Sequence, residues 1–221
     1  MERKYELLED ETVDFYGKKL YRIRATESFG AVTEGEKGGF VESYNNLDGD
    51  AWVAGDAKVY DNAKVYGNAC VAGDAKVCDN AKVYGNAMVR GDAWVAGDAM
   101  VCGNAKVCDN AIVCGNASVG GNAKVSGNAY VACYAEIDGN AQISDAADIL
   151  TVSPVGFDGD SVTFFKCGDS SIRVITDEFR GTIDEFSDTV AQEYGDSEYA
   201  QEYKLAIQLA KLKIKVEEES K

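Results

Sequence analysis

Three kinds of side chain in this sequence recur at spacings that could do chemistry: thiols, carboxylates and phenols. Cys102, Cys108 and Cys114 fall six residues apart, which invites a metal-ligand row or a nucleophile. Asp56, Asp74 and Asp92 fall eighteen apart, as a calcium ladder or a row of charge aimed at a basic partner would. Tyr60, Tyr66 and Tyr84 offer flat faces for stacking on a nucleobase, and Arg90 offers a phosphate contact. Against these stands an absence: the 221 residues include no histidine. Imidazole titrates near neutrality and is the commonest metal ligand, so general-base and zinc chemistry would need other groups. A carboxylate base such as Glu136 is conceivable, but no partner for it is visible in the sequence.

The element that must carry these residues is a six-letter word, Gly/Asp, Asp/Asn, Ala, any, Val/Ile, any. It repeats seventeen times without a gap from Gly49 to Leu150. Letters three and five are small or aliphatic and alternate with the variable letters, the period-2 signature of a strand with one buried face. Letters one and two supply a turn, because Gly, Asp and Asn tolerate left-handed backbone. One word is one side of a coil, and three sides close a triangle of eighteen residues. A spacing of six therefore moves a residue to the next side, so Cys102, Cys108 and Cys114 are expected to point outward from three different sides. Cys78 and Cys114 share a column but lie two coils apart, about 10 Å. The thiols accordingly read as small apolar surface or interface residues, and the stacked aspartates as turn formers.

These words resemble the hexapeptide-repeat family, whose members form left-handed parallel β-helices with the aliphatic and small letters inside. The resemblance covers 102 residues and implies a mainly β fold of about five to six coils. The acyl transfer and zinc-dependent hydration found in that family both rest on histidine, so neither mechanism maps onto a position of this chain. The expectation is no enzyme, no cofactor and no metal.

The flanks read as caps on a solenoid whose ends would otherwise be raw. Residues 1–48 form an N-terminal β cap with a hairpin turning at Gly17, residues 49–150 the β-helix, and residues 151–221 a C-terminal α+β region. In the last, Ile149–Val155, Val162–Cys167 and Ile172–Thr176 read as short strands. Thr182-Ile-Asp-Glu185 is a capping box that opens a helix with the stripe Ile183, Phe186, Val190. A second helix follows Gly195-Asp196-Ser197 with Tyr199, Tyr203, Ala206/Ile207 and Ala210 at helical spacing, and the final EEESK is expected to fray. The leader LYRIRA…FGAVTEGEKGGFVES and the tail FRGTIDEF…YGDSEYAQEYKLAIQLAK are similar to the flanks of hexapeptide-repeat proteins encoded by phages and prophages.

Net charge is −16, which argues against direct binding to nucleic acid or an anionic membrane and allows a basic partner. The seven cysteines lack a CxxC pair, and the start lacks the apolar run of a signal peptide, so reduced thiols in a host cytoplasm are expected. Letter four, read down the sides, gathers an apolar ridge of Trp94, Ile112 and Tyr130 and a smaller patch of Trp52 and Met88. Such ridges mark contacts, whether with the terminal helices folded back, with identical chains as a trimer or dimer, or with a foreign partner. Acidic charge concentrates at Asp177, Glu178, Asp184, Glu185, Asp188, Glu193, Asp196, Glu198 and Glu202, and any DNA mimicry belongs there. The solenoid carries twelve acidic against seven basic side chains and is only mildly negative. The functional expectation is a non-catalytic, phage-type interaction protein that binds and occludes a host factor and so antagonises host defence. The alternatives are sequestration of a nucleotide-like signalling molecule, a histidine-free acyltransferase and a virion structural protein.

Overall fold

The structure, a computed structural model, describes residues 3–216. The hairpin forms as the Gly17 turn requires: β1 (Tyr5–Phe15) pairs antiparallel with β2 (Lys18–Ala25). Tyr16 and Gly17 sit between them at φ +52° and +74°. β2 then pairs antiparallel with β3 (Lys37–Val41), and β3 pairs in parallel with Lys58–Val59 of the first full coil. Sixteen two-residue strands follow, one every six residues, from β4 (Trp52–Val53) to β19 (Gln142–Ile143).

Each strand stacks in parallel on the residue eighteen positions away, as Trp94 does on Ile112 and Ile112 on Tyr130. This gives three sheets and a β-solenoid of about six coils. Three backbone bonds per side hold successive coils: for one side, Trp94 N–H to Ala111 O (2.9 Å), Ala96 N–H to Val113 O (3.0 Å) and Asp98 N–H to Gly115 O (2.8 Å). Inside, Ala93, Val95, Ala99 and Val101 are fully buried, and the same letters fill the prism along its length. Three walls converging on one axis leave room for a methyl at letter three and a branched aliphatic at letter five. Close packing of that kind is what ties the repeat to those residue types. Letter one takes positive φ in the first sixteen words, +70° at Gly97 and +58° at Asp79, and turns to −143° only at Asp145.

The parallel stacking starts upstream of Gly49. Phe40 and Val41 take letters four and five above Lys58 and Val59, and Leu47 bridges Val65. Gly39 stands where other words have Ala, because an added Cβ would lie 2.6 Å from Ala57 O and 2.8 Å from Val53 Cγ1. At the other end the seventeenth word leaves the prism. Asp145 caps a short 3-10 helix (Ala146–Asp148), with its side chain taking the Ala147 N–H. Ala147 is therefore exposed, contrary to its letter.

β20 (Ile149–Val155), β21 (Asp160–Lys166), β22 (Ile172–Ile175) and β23 (Arg180–Thr182) form an antiparallel sheet. Alternation splits its faces. Ile149, Phe165, Cys167 and Ile175 close the solenoid core, while Val162, Phe164 and Val174 meet the helices. α1 (Ile183–Tyr194) begins at the expected capping box and buries Ile183, Phe186 and Val190. α2 (Glu198–Lys213) buries Ala200, Tyr203, Ala206, Ile207 and Ala210. Tyr199 is exposed at the rim beside Phe157 (centroids 5.5 Å) rather than part of that stripe. The helices thus pack on the far face of the C-terminal sheet and do not fold back along the solenoid. The expected fraying of EEESK lies outside the described residues. Among those residues, no helix is long and apolar enough to cross a membrane.

Candidate functional site

Every candidate on the solenoid sits on one of three columns, and the end caps decide which of them meet solvent. On the side that continues the hairpin sheet, Lys58, Lys76, Trp94, Ile112 and Tyr130 stack in register. Trp94 is 42% and Tyr130 53% exposed, with Ile112 half-buried between them. Their polar tips are engaged by the sulfurs of letter six: Trp94 Nε1 donates to Cys78 Sγ (3.2 Å), and Cys114 Sγ meets the Tyr130 hydroxyl at 3.4 Å. That bond to Cys114 raises the Tyr130 phenol above its ordinary value. Tyr134, 62% exposed, follows Tyr130 at the next turn.

Two expected surface residues are buried by the N-terminal segment. Trp52 is 5% exposed, beneath Phe29 (centroids 5.8 Å) and against Gly38, so it forms no patch with the half-buried Met88. Tyr60 is 5% exposed because the hairpin tip wraps over it with Phe15 and Leu20, and it cannot stack on a ligand. Arg22 and Lys18 pin that hairpin to the solenoid through Asp56 (3.2 Å) and Asp61 (2.6 Å).

The thiols do not assemble. Cys102, Cys108 and Cys114 do follow strands of three different sheets, but Cys108 is buried, as is Cys78. Letter six recedes into the corners more than the alternation alone implies. Burial pushes the Cys70, Cys78 and Cys167 thiols up, which lowers their thiolate fraction. Among the described residues one group has ligand atoms close enough for a metal, Asp61, Cys78 and Asp79, all within 4.8 Å of one another. Each already has a donor: Lys18 on Asp61, the Trp94 indole on Cys78, and Gly97 N–H on Asp79 (2.9 Å).

The stacked turn residues behave as turn formers. Asn68, Asn86, Asn104 and Asn122 pass amide hydrogen bonds of 3.0–3.1 Å up one corner. On another corner, Asp56 is held by Arg22. Glu136, solitary in the sequence, is ion-paired with Arg180 from β23.

Tyr66 and Tyr84 lie on a second side, half-buried, with ring centroids 5.0 Å apart and planes within 3°. Arg90 is exposed and follows a strand of the third side, off the column that stacks Tyr66 on Tyr84. The nine acidic residues from Asp177 to Glu202 are all exposed, but three have structural roles. Asp184 pairs with Lys211 (2.8 Å), Glu185 closes the capping box, and Glu202 accepts the Gly156 N–H (2.8 Å). Sequence reasoning passed over a second stripe on α2, where Leu205, Leu209 and Leu212 are 66%, 48% and 68% exposed. Their i, i+4, i+7 spacing was the available signal.

A scan against protein-family models found no match to the chain, and a search of curated proteins found none either.

Proposed function

We propose that this protein is a non-catalytic binding scaffold that engages a macromolecular partner through the Trp94–Ile112–Tyr130 ridge. The observation that carries this reading is the pairing of exposure with continuity. Two large aromatics stay open on successive alternate coils with an aliphatic between them, while the N-terminal hairpin covers only the head of the same column. Aromatic residues in such a cluster supply most of the energy of protein contacts. The lack of histidine and the raised thiols of Cys70, Cys78 and Cys167 favour binding over bond-making. The flanks similar to those of phage and prophage hexapeptide-repeat proteins suggest that the partner is a host factor, occluded in the host cytoplasm. The six uncommitted carboxylates on and before the helices favour a partner with a basic rim.

The test uses a substitution that the fold already tolerates. Lysine occupies letter four in several other words, as at Lys106 and Lys124, so Ile112→Lys places charge mid-ridge without offending the coil. Capture from host lysate by the full-length chain should return one stoichiometric macromolecule that Ile112→Lys loses and Lys124→Ala keeps. Capture that ignores Ile112→Lys would overturn the reading. So would a ridge that serves only to join copies of this chain, seen as a mass in solution that the same variant lowers.

A further inference from the structure

The side that carries Tyr66 and Tyr84 ends in an open groove of about 1660 Å³, lined among others by Arg3, Tyr44, Asp48, Lys64 and Tyr66. We infer that this groove binds a nucleotide, with a planar base laid on Tyr66 and its phosphate held by Lys64 and Arg3.

The geometry of the column is the first argument. Tyr84 and Tyr66 occupy letter six of successive coils and stack at the coil repeat, 5.0 Å and 3°. One coil further toward the N-terminus, letter six is Asp48, which has no ring and whose carboxylate accepts the Gly49 N–H at 2.9 Å. The stack therefore stops one member short at the groove, and the free face of Tyr66 borders the space where a third ring would lie. A base fits that vacancy because stacking on a phenol is sequence-tolerant and needs only a flat π-face.

Charge is the second argument. Lys64 and Lys82 are adjacent in register at letter four, beside Tyr66 and Tyr84. Among the described residues neither has a carboxylate within 4.0 Å. Two like charges stacked one strand apart cost stability that a bound anion would restore; Lys106 and Lys124 pair in the same way, but of these four only Lys64 borders the groove. Arg3 lies over the Tyr44 ring, 4.5 Å from its centroid. The other groove cation, Lys18, is committed to Asp61 and Glu42. In a chain of net charge −16, an unneutralised lysine pair beside a tyrosine stack selects for a small anion with a ring. A polyanion would be repelled by the remainder of the surface.

This groove lies on a different side from the ridge, so the failure of either reading leaves the other standing. Calorimetry of the full-length chain with ATP, adenosine and tripolyphosphate tests it at low and high salt. ATP should bind more tightly than either fragment, and raised salt should weaken it. Tyr66→Ala should cost about ten-fold or more in affinity, given what a single base–aromatic stack contributes. Tyr66→Trp, which keeps a flat face, should retain binding, and Lys64→Ala should weaken ATP but not adenosine. Absence of ATP binding at millimolar concentration overturns the inference. Tripolyphosphate binding as tightly as ATP, or ATP binding unmoved by Tyr66→Ala in a chain that melts like the parent, overturns it equally.

Discussion

Asp109 opens its word at φ +61°, a backbone region that disfavours any residue with a Cβ, yet most other words use Gly there. The structure supplies the compensation: Asp109 Oδ2 accepts the N–H of Gly127, one coil on, at 3.1 Å. Asp79 does the same for Gly97 at 2.9 Å. Two substitutions separate the two effects. Asp109→Ala loses the hydrogen bond, about 1 kcal/mol, and keeps a Cβ in the left-handed region. Asp109→Gly loses the same bond but relieves a backbone cost of about 1 kcal/mol. The alanine variant should therefore be about 1–1.5 kcal/mol less stable, and the glycine variant within about 0.5 kcal/mol of the parent. Unfolding entropy of about 2.1 cal/mol/K per residue over the whole chain converts these to about 2–3 °C and at most about 1 °C in Tm. Thermal melts followed by circular dichroism, with urea titrations as a check, would read the difference. Equal losses for both variants would refute the reasoning, because left-handed strain would then play no part. A neutral Asp109→Ala would refute it from the other side, since the inter-coil bond would contribute nothing.

Gly39→Ala restores the consensus letter yet should destabilise the chain by about 1–3 kcal/mol, the usual cost of overpacking, because the new methyl meets Ala57 O and Val53 Cγ1; a gain in urea midpoint would contradict that packing. Burial pushes the Tyr5 phenol up to about 12, with its hydroxyl donating to Leu47 O at 3.0 Å. Between its ordinary value near 10 and about 12 the unfolded chain releases this proton while the folded chain keeps it, so stability should fall with pH across that window by up to about 1.4 kcal/mol per unit. Tyr5→Phe should be less stable at neutrality but show a shallower alkaline decline, and an unchanged slope in pH-dependent urea unfolding would count against the assignment.

The solenoid was legible because its information is redundant: letters three and five recur at a fixed period, and no single departure hides them. What escaped was decided at the ends, where one contact sets the outcome. Nothing near Trp52 or Tyr60 in the sequence says that Phe29 and Phe15 will cover them, since that depends on how an N-terminal segment more than twenty residues upstream folds back. The first words, around Phe40 and Leu47, were hidden because neither carries the marker alanine: Gly39 replaces it under the crowding of Val53 and Ala57, and Asn45 replaces it in a short 3-10 helix (Tyr44–Asn46). Ala147 misled in the opposite way: its letters fit, but Asp145 and Asp148 form a capping box that diverts the chain.

A physical rule for locating function in this architecture follows from those cases. Letters three and five are fixed by the core, one and two by the turn, and letter six is drawn into the corners, as Cys78 and Cys108 show. Letter four is the position least constrained by folding, so departures from lysine there are the ones that packing within the coil does not require. Trp94, Ile112 and Tyr130 are such departures on the side whose lower coils the caps leave open. Lys64 and Lys82 matter for the complementary reason: they keep the common letter, but beside a tyrosine stack that ends at a groove. Letter four chooses the chemistry of each side, and the two caps choose which stretch of it a partner can reach.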